Sequence, residues 1–225
     1  MKKKTANPNI KKTIFQGLIN TTSRNEQPLW RRARYRAVER ALFANRPATD
    51  GDAPLRSYSN RVARLGDLAL WLWEQEFDAM ITINSNDTHF DYRRGRSALK
   101  KLDAFLDHFF LRKSWCKYPS PQRTLFFAVP EHAGGELHYH IFIKIPSMSR
   151  RSLSQLTNIR PTLTEVLQAK KIFPRGDADM RRLSGFSESR DSWHRFRTAC
   201  YVVKGLWQAV EWEQCLIGSE FHNQS

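Results

Sequence analysis

In the segment TLFFAVPEHAGGELHYHIFIKIP (124–146), one residue separates His138 from His140, and Glu131 precedes them across Gly134-Gly135. The apolar runs on either side of the glycines, Thr124 to Glu131 and Leu137 to Ile145, read as the two strands of a hairpin. Alternate side chains of a strand share a face, so His138 and His140 project together, about 7 Å apart at their Cα atoms, and Tyr139 projects oppositely. With Gly134 and Gly135 as the central turn residues, Ala133 faces Glu136 and Glu131 faces His138. Opposed residues have Cβ atoms about 4.5 to 5.5 Å apart on one side of the sheet. Glu131, His138 and His140 therefore form one cluster, and His132, paired with Leu137, is left out of it. Two neutral imidazoles and a carboxylate with coordination positions left open suit a catalytic divalent ion, Mn²⁺ or Mg²⁺; Zn²⁺ and Ni²⁺ also bind such a set. The plainer alternative is a pair of half-exposed histidines with ordinary hydrogen bonds.

A second constellation lies in FRTACYVVKGLW, where Tyr201 and Lys204 stand three residues apart, neighbours on one helix face. A phenol has an ordinary pKa of about 10 and becomes a nucleophile at neutral pH only when a cation stabilises the phenolate or the transition state. An adjacent ammonium group supplies that cation. Many proteins carry a Tyr and a Lys on a shared helix face without such a role, and Gly205 stands where the helix could end.

The elements that must position these groups are legible in outline. Residues 1 to about 28 are polar and basic, an arm without periodicity. Leu29 to Asn45 reads as a basic amphipathic helix, with Trp30, Ala33, Ala37 and Ala41 at helical spacing and Arg31, Arg32 and Arg34 on the remaining surface. The Pro, Gly and Asp cluster RPATDGDAP (46–54) marks a linker, dividing a basic arm and helix (1–55) from the main domain (56–225). A helix follows from near Asn60 to Gln75, then a strand from Phe77 to Asn84, a helix from Ser97 to Arg112, and the hairpin. Residues 150–172 read as helical with a break near Pro161, Asp177 to Leu183 as a strand, and Trp193 onward as helix. This order predicts an α+β fold, an antiparallel sheet with helices packed on one face.

Composition bounds the partners. The 225 residues carry 37 Lys plus Arg against 22 Asp plus Glu, a net charge of +15, which makes a polyanion the expected partner. The excess is uneven: residues 1–60 hold 13 basic and 4 acidic side chains, and residues 61–225 hold 24 and 18. The longest apolar stretches, Leu68 to Trp73 and Leu125 to Val129, fall far short of a membrane span. MKKKTANPNIKK has no apolar run after its charges, and Cys116, Cys200 and Cys215 form no CxxC, so a cytoplasmic, disulfide-free protein is expected.

An acidic residue, then His-hydrophobic-His on the following strand, then a helix bearing YxxK: this order resembles the HUH endonucleases of the rolling-circle replication initiator type. The resemblance covers about residues 75–210, with ITINSND (81–87) similar to the family's first motif, PEHAGGELHYHIFIK to its second and ACYVVK to its third. It implies that Glu131, His138 and His140 hold the divalent ion, that Tyr201 is the nucleophile and that Lys204 assists it. Thr82 and Asn84 become DNA-contact candidates, and no GxxxxGK[ST] loop follows for a helicase domain. The implied activity is nicking and joining of single-stranded or hairpin DNA at an origin, through a 5′-phosphotyrosine intermediate and without ATP. Arg31, Arg32, Arg34, Arg181, Arg182, Arg195 and Arg197 are expected to bind phosphates or to form a solvated face. With one motif tyrosine, a second cleavage needs a strand hydroxyl or a second protomer, so a homodimer is one expected arrangement. The rivals are a single-tyrosine transposase or small relaxase using the same chemistry, and a non-catalytic DNA-binding regulator.

Overall fold

The structure, a computed structural model, describes residues 55–133, 136–185, 187–209 and 214–222. The expected arm, the helix from Leu29 to Asn45 with Arg31, Arg32 and Arg34, and the linker at 46–54 lie outside the described residues. The elements, in order, are α1 (Leu55–Glu74), β1 (Ala79–Asn84), α2 (Tyr92–Leu111), two short 3₁₀ turns (Arg112–Lys117 and Ser120–Gln122), β2 (Leu125–Ala133), β3 (Glu136–Lys144), α3 (Leu153–Thr157), α4 (Leu163–Ala169), β4 (Asp177–Arg182), α5 (Glu188–Ala209), β5 (Leu216–Ile217) and α6 (Ser219–His222). The fold is α+β, with one five-stranded sheet in the order β4-β1-β3-β2-β5 and every neighbouring pair antiparallel. No described helix is long and apolar enough to cross a membrane.

Two compact units divide these elements: the sheet unit comprises Phe77–Ser187 and Gln208–Ser225, and the helical unit contains α1 and α5 through Trp207. Within the sheet unit, odd-numbered residues of β1 and β3 (Ala79, Ile81, Ile83; Leu137, Tyr139, Ile141, Ile143) join one buried apolar cluster with Leu99, Leu102 and Leu106 of α2, Leu156 of α3, Leu167 of α4 and Phe221 of α6. Burying each Leu, Ile or Phe of this cluster contributes about 1.5 to 3 kcal/mol. The cluster fixes which sheet face turns inward, and so dictates that the even-numbered residues of β1 and β3 occupy the other face.

Local chemistry sets the helix ends. The Asp91 side chain accepts from Arg94 N at 2.7 Å and starts α2 five residues ahead of the expected Ser97, because the cap takes hold before the apolar spacing begins. Capping boxes start the helices on either side of Pro161: Ser152 with Gln155 for α3, Thr162 with Glu165 for α4. Asp78 closes the far end of the sheet, accepting from Ile145 N at 2.7 Å and from the Ser184 hydroxyl at 2.8 Å. In the helical unit, Trp73 of α1 donates its indole N–H to Ser192 Oγ at 3.2 Å and meets Phe196 of α5 edge-on at 5.2 Å. Gly205 does not end α5, which continues to Ala209.

Candidate metal centre

The hairpin register is the one a two-residue Gly-Gly turn requires: Glu131 pairs with His138, Val129 with His140, and His132 with Leu137. Tyr139 projects into the apolar cluster, and a side-chain carbon at Gly95 of α2 would overlap its hydroxyl. Burial pushes the Tyr139 phenol well above its ordinary range, which removes it as a nucleophile.

On the opposite face, both imidazole Nε2 atoms converge on a single carboxylate oxygen. Glu131 Oε2 lies 2.9 Å from His140 Nε2 and 3.2 Å from His138 Nε2. The two rings stand nearly perpendicular, at 86°, with centroids 5.3 Å apart. Hydrogen bonds from His138 and then His140 outweigh desolvation and hold the Glu131 carboxyl down at about 2, so it is ionised at neutral pH. The His140 side chain is 4% exposed, while Glu131 keeps 28% and His138 14%, leaving an accessible side for a further ligand. Two nitrogen donors and one oxygen donor converging this closely fit a divalent cation.

Strand β1 contributes a support that the hairpin alone does not reveal. Thr82 pairs with His140 and Asn84 with His138. The Thr82 hydroxyl lies 3.2 Å from His140 Nδ1, the ring nitrogen turned away from Glu131. Such an outer partner fixes the tautomer and the ring orientation of a metal-binding histidine. Asn84, expected as a DNA contact, donates to Asp177 Oδ1 at 2.7 Å. On β4, Asp177 pairs with Asn84, Asp179 with Thr82 and Arg181 with Met80, so all three share the trio's face; Arg182 pairs with Ala79 and belongs to the other. The side chains that β4 brings beside Thr82 and Asn84 are thus acidic.

The remaining candidates lie on α5, in the helical unit. Tyr201 is 62% exposed and Trp193 is 55% exposed. Arg197 is also exposed, its guanidinium 5.8 Å from the centre of the Trp193 ring. Residues 193, 197 and 201 recur at four-residue spacing, so they line one stripe of the helix. Arg195 is half-buried rather than on that stripe. Lys204 continues the helix, its side chain lying outside the described set.

A second group of ligand-type side chains converges among the described residues: Asp103, Asp107 and His222. Burial pushes the Asp103 carboxyl up to about 6 against the opposing effect of His222, and raises that of Asp107 against the Thr124 backbone hydrogen bond. The i, i+4 carboxylates on α2 were visible in the sequence, but their histidine partner is 119 residues from Asp103 and carried no signal. Comparison with known protein families, curated proteins and solved structures finds no match to this chain.

Proposed function

We propose that this chain nicks and joins single-stranded DNA in the manner of the HUH endonucleases, initiating rolling-circle replication of a plasmid or phage. The observation that carries the reading is the convergence of His138 and His140 on one oxygen of Glu131. A Mn²⁺ or Mg²⁺ ion held by these three residues would supply Lewis-acid polarisation of a non-bridging oxygen of the scissile phosphate.

The rest of the chemistry falls to the chain. The Tyr201 phenol gives up its proton and its oxygen attacks phosphorus in line. The bond to the 3′-oxygen breaks, the leaving oxygen takes up a proton as a free 3′-hydroxyl, and the 5′-phosphate stays on the tyrosine. Lys204 offsets the phenolate charge. The adduct keeps the phosphodiester energy, so attack by a 3′-hydroxyl rejoins strands without ATP. The exposure of Tyr201 supports its part, and Trp193 and Arg197 on the same stripe offer a stacking surface and a phosphate contact to a single strand. The net charge of +15 agrees with a nucleic-acid substrate.

Incubation of a labelled single-stranded origin library with the full chain and Mn²⁺ is expected to give a covalent protein–DNA band that EDTA prevents and Tyr201→Phe abolishes. Persistence of the band in Tyr201→Phe rejects the nucleophile. Salt-sensitive binding that is indifferent to EDTA and leaves no adduct identifies a non-catalytic regulator.

A further inference from the structure

The Asp103, Asp107 and His222 group is built like a metal site in its own right, apart from the His138 and His140 trio. Asp103 and Asp107 sit one turn apart on α2, and α6 delivers His222 to them. His222 Nε2 lies 2.9 Å from Asp103 Oδ2 and 3.6 Å from Asp107 Oδ2. Ligand atoms held about 2.0 to 2.1 Å from a tetrahedral ion stand about 3.3 Å from one another, a spacing these two distances bracket.

Two independent observations favour a cation over a simple hydrogen-bonded cluster. First, the side chains are 3%, 0% and 5% exposed, yet among the described residues Asp103 Oδ1 and Asp107 Oδ2 have no hydrogen-bond partner. An ionised carboxylate oxygen buried without a donor is costly, and although His222 and Arg123 both act on these carboxylates, neither donates to Asp103 Oδ1 or Asp107 Oδ2. Second, the remaining polar atoms are already held from outside. Ser120 Oγ lies 2.8 Å from His222 Nδ1, and Asp107 Oδ1 accepts from Thr124 N at 2.8 Å. Without a metal, Nε2–H donates to Asp103 and Nδ1 accepts from Ser120; with a metal bound at Nε2, the Nδ1–H would donate to Ser120, the outer contact that a metal-bound histidine makes.

We propose that Asp103, Asp107 and His222 form a structural divalent-metal site that staples the C-terminal segment to α2. Zn²⁺ is one divalent ion that binds such a mixed nitrogen and oxygen set, and it serves as the probe. Two carboxylates balance its charge with the imidazole neutral, and a solvent oxygen would take the fourth position. The site rests on none of the residues assigned to DNA cleavage.

The test uses the full, tag-free chain carrying His138→Ala and His140→Ala, so that the first cluster contributes no binding. After EDTA stripping and dialysis against Zn²⁺, this protein is expected to retain about one equivalent by elemental analysis and to melt at a higher temperature than its stripped form. Co²⁺ in place of Zn²⁺ should give intense visible bands of four-coordinate geometry that saturate at the same stoichiometry. Adding Asp107→Asn or His222→Gln should abolish both signals, and Ser120→Ala, which keeps all three ligands, should weaken binding about 10- to 100-fold. Failure of the His138→Ala, His140→Ala chain to hold stoichiometric Zn²⁺ or Co²⁺ overturns the proposal, and needs no further variant to fold. Binding that survives Asp107→Asn and His222→Gln together also overturns it, by placing the metal elsewhere.

Discussion

The Thr82 hydroxyl meets His140 at Nδ1, 3.2 Å away, while the same ring turns Nε2 toward Glu131 at 2.9 Å. Thr82 therefore acts on the cluster through the histidine, as a positioning residue. Thr82→Val keeps the shape and removes the hydroxyl, and Mn²⁺ affinity measured by calorimetry should fall about 10- to 100-fold with the fold intact. Thr82→Ser should restore most of it. Unchanged affinity in Thr82→Val would mean that packing alone orients the ring.

The Glu131 carboxyl, held at about 2 against an ordinary 4.5, links the cluster to acid stability in the metal-free chain. A depressed folded-state pKa contributes stability that is fully present above the unfolded value and lost as pH falls through the folded one. The melting-temperature gap between the native chain and Glu131→Gln should therefore narrow as pH falls from about 4.5 toward about 2. A gap that stays constant across this window would show that the carboxylate gains nothing from the two imidazoles.

The hairpin half of the site was legible because a two-residue turn leaves one register, so parity alone placed Glu131, His138 and His140 together and left out His132. What sequence periodicity cannot supply is a pairing between distant segments. Strand β1 joins β3 across 58 residues at the Thr82–His140 contact, and nothing local to ITINSND announces that its threonine would hold a histidine ring. The same limit hid Asp177 beside Asn84. The two-residue β5 and the four-residue α6 are too short to show any period, so the sequence does not mark His222 as a partner of Asp103.

Tyr139 should reveal how tightly the inward face is set. A Gly95→Ala methyl would overlap the Tyr139 hydroxyl, and overpacking of this kind costs about 1 to 3 kcal/mol in chemical denaturation. Tyr139→Phe removes the obstructing oxygen, so the double variant Gly95→Ala, Tyr139→Phe should recover part of the loss. Simple additivity of the two changes would place the strain of Gly95→Ala somewhere other than this contact.

The thiols give an independent check on the packing. Cys116 is exposed, whereas Cys200 and Cys215 are buried, and burial pushes the Cys200 thiol up to about 12. A thiol reagent at pH 8 should modify one cysteine quickly in the native chain and the other two only on unfolding, because the thiolate is the reactive species. Cys116→Ser should remove the fast phase; its survival would show that a buried thiol becomes accessible in the native state.

On α5, the exposed stripe separates two contributions to strand binding. If a base stacks on Trp193, Trp193→Ala should weaken single-stranded DNA affinity by about 1 to 3 kcal/mol at every salt concentration, since stacking releases no counterion. If Arg197 meets a phosphate, Arg197→Ala should weaken binding and also reduce the slope of log affinity against log salt by about one. Arg197 is exposed, so its change should not shift the melting temperature appreciably, whereas Trp193→Ala also loses a stacked contact with Phe196 at 6.0 Å and should lower it modestly. Equal effects of the two variants on the salt slope would show that Trp193 works only by holding the guanidinium above its ring, at 5.8 Å, and not by stacking on the strand.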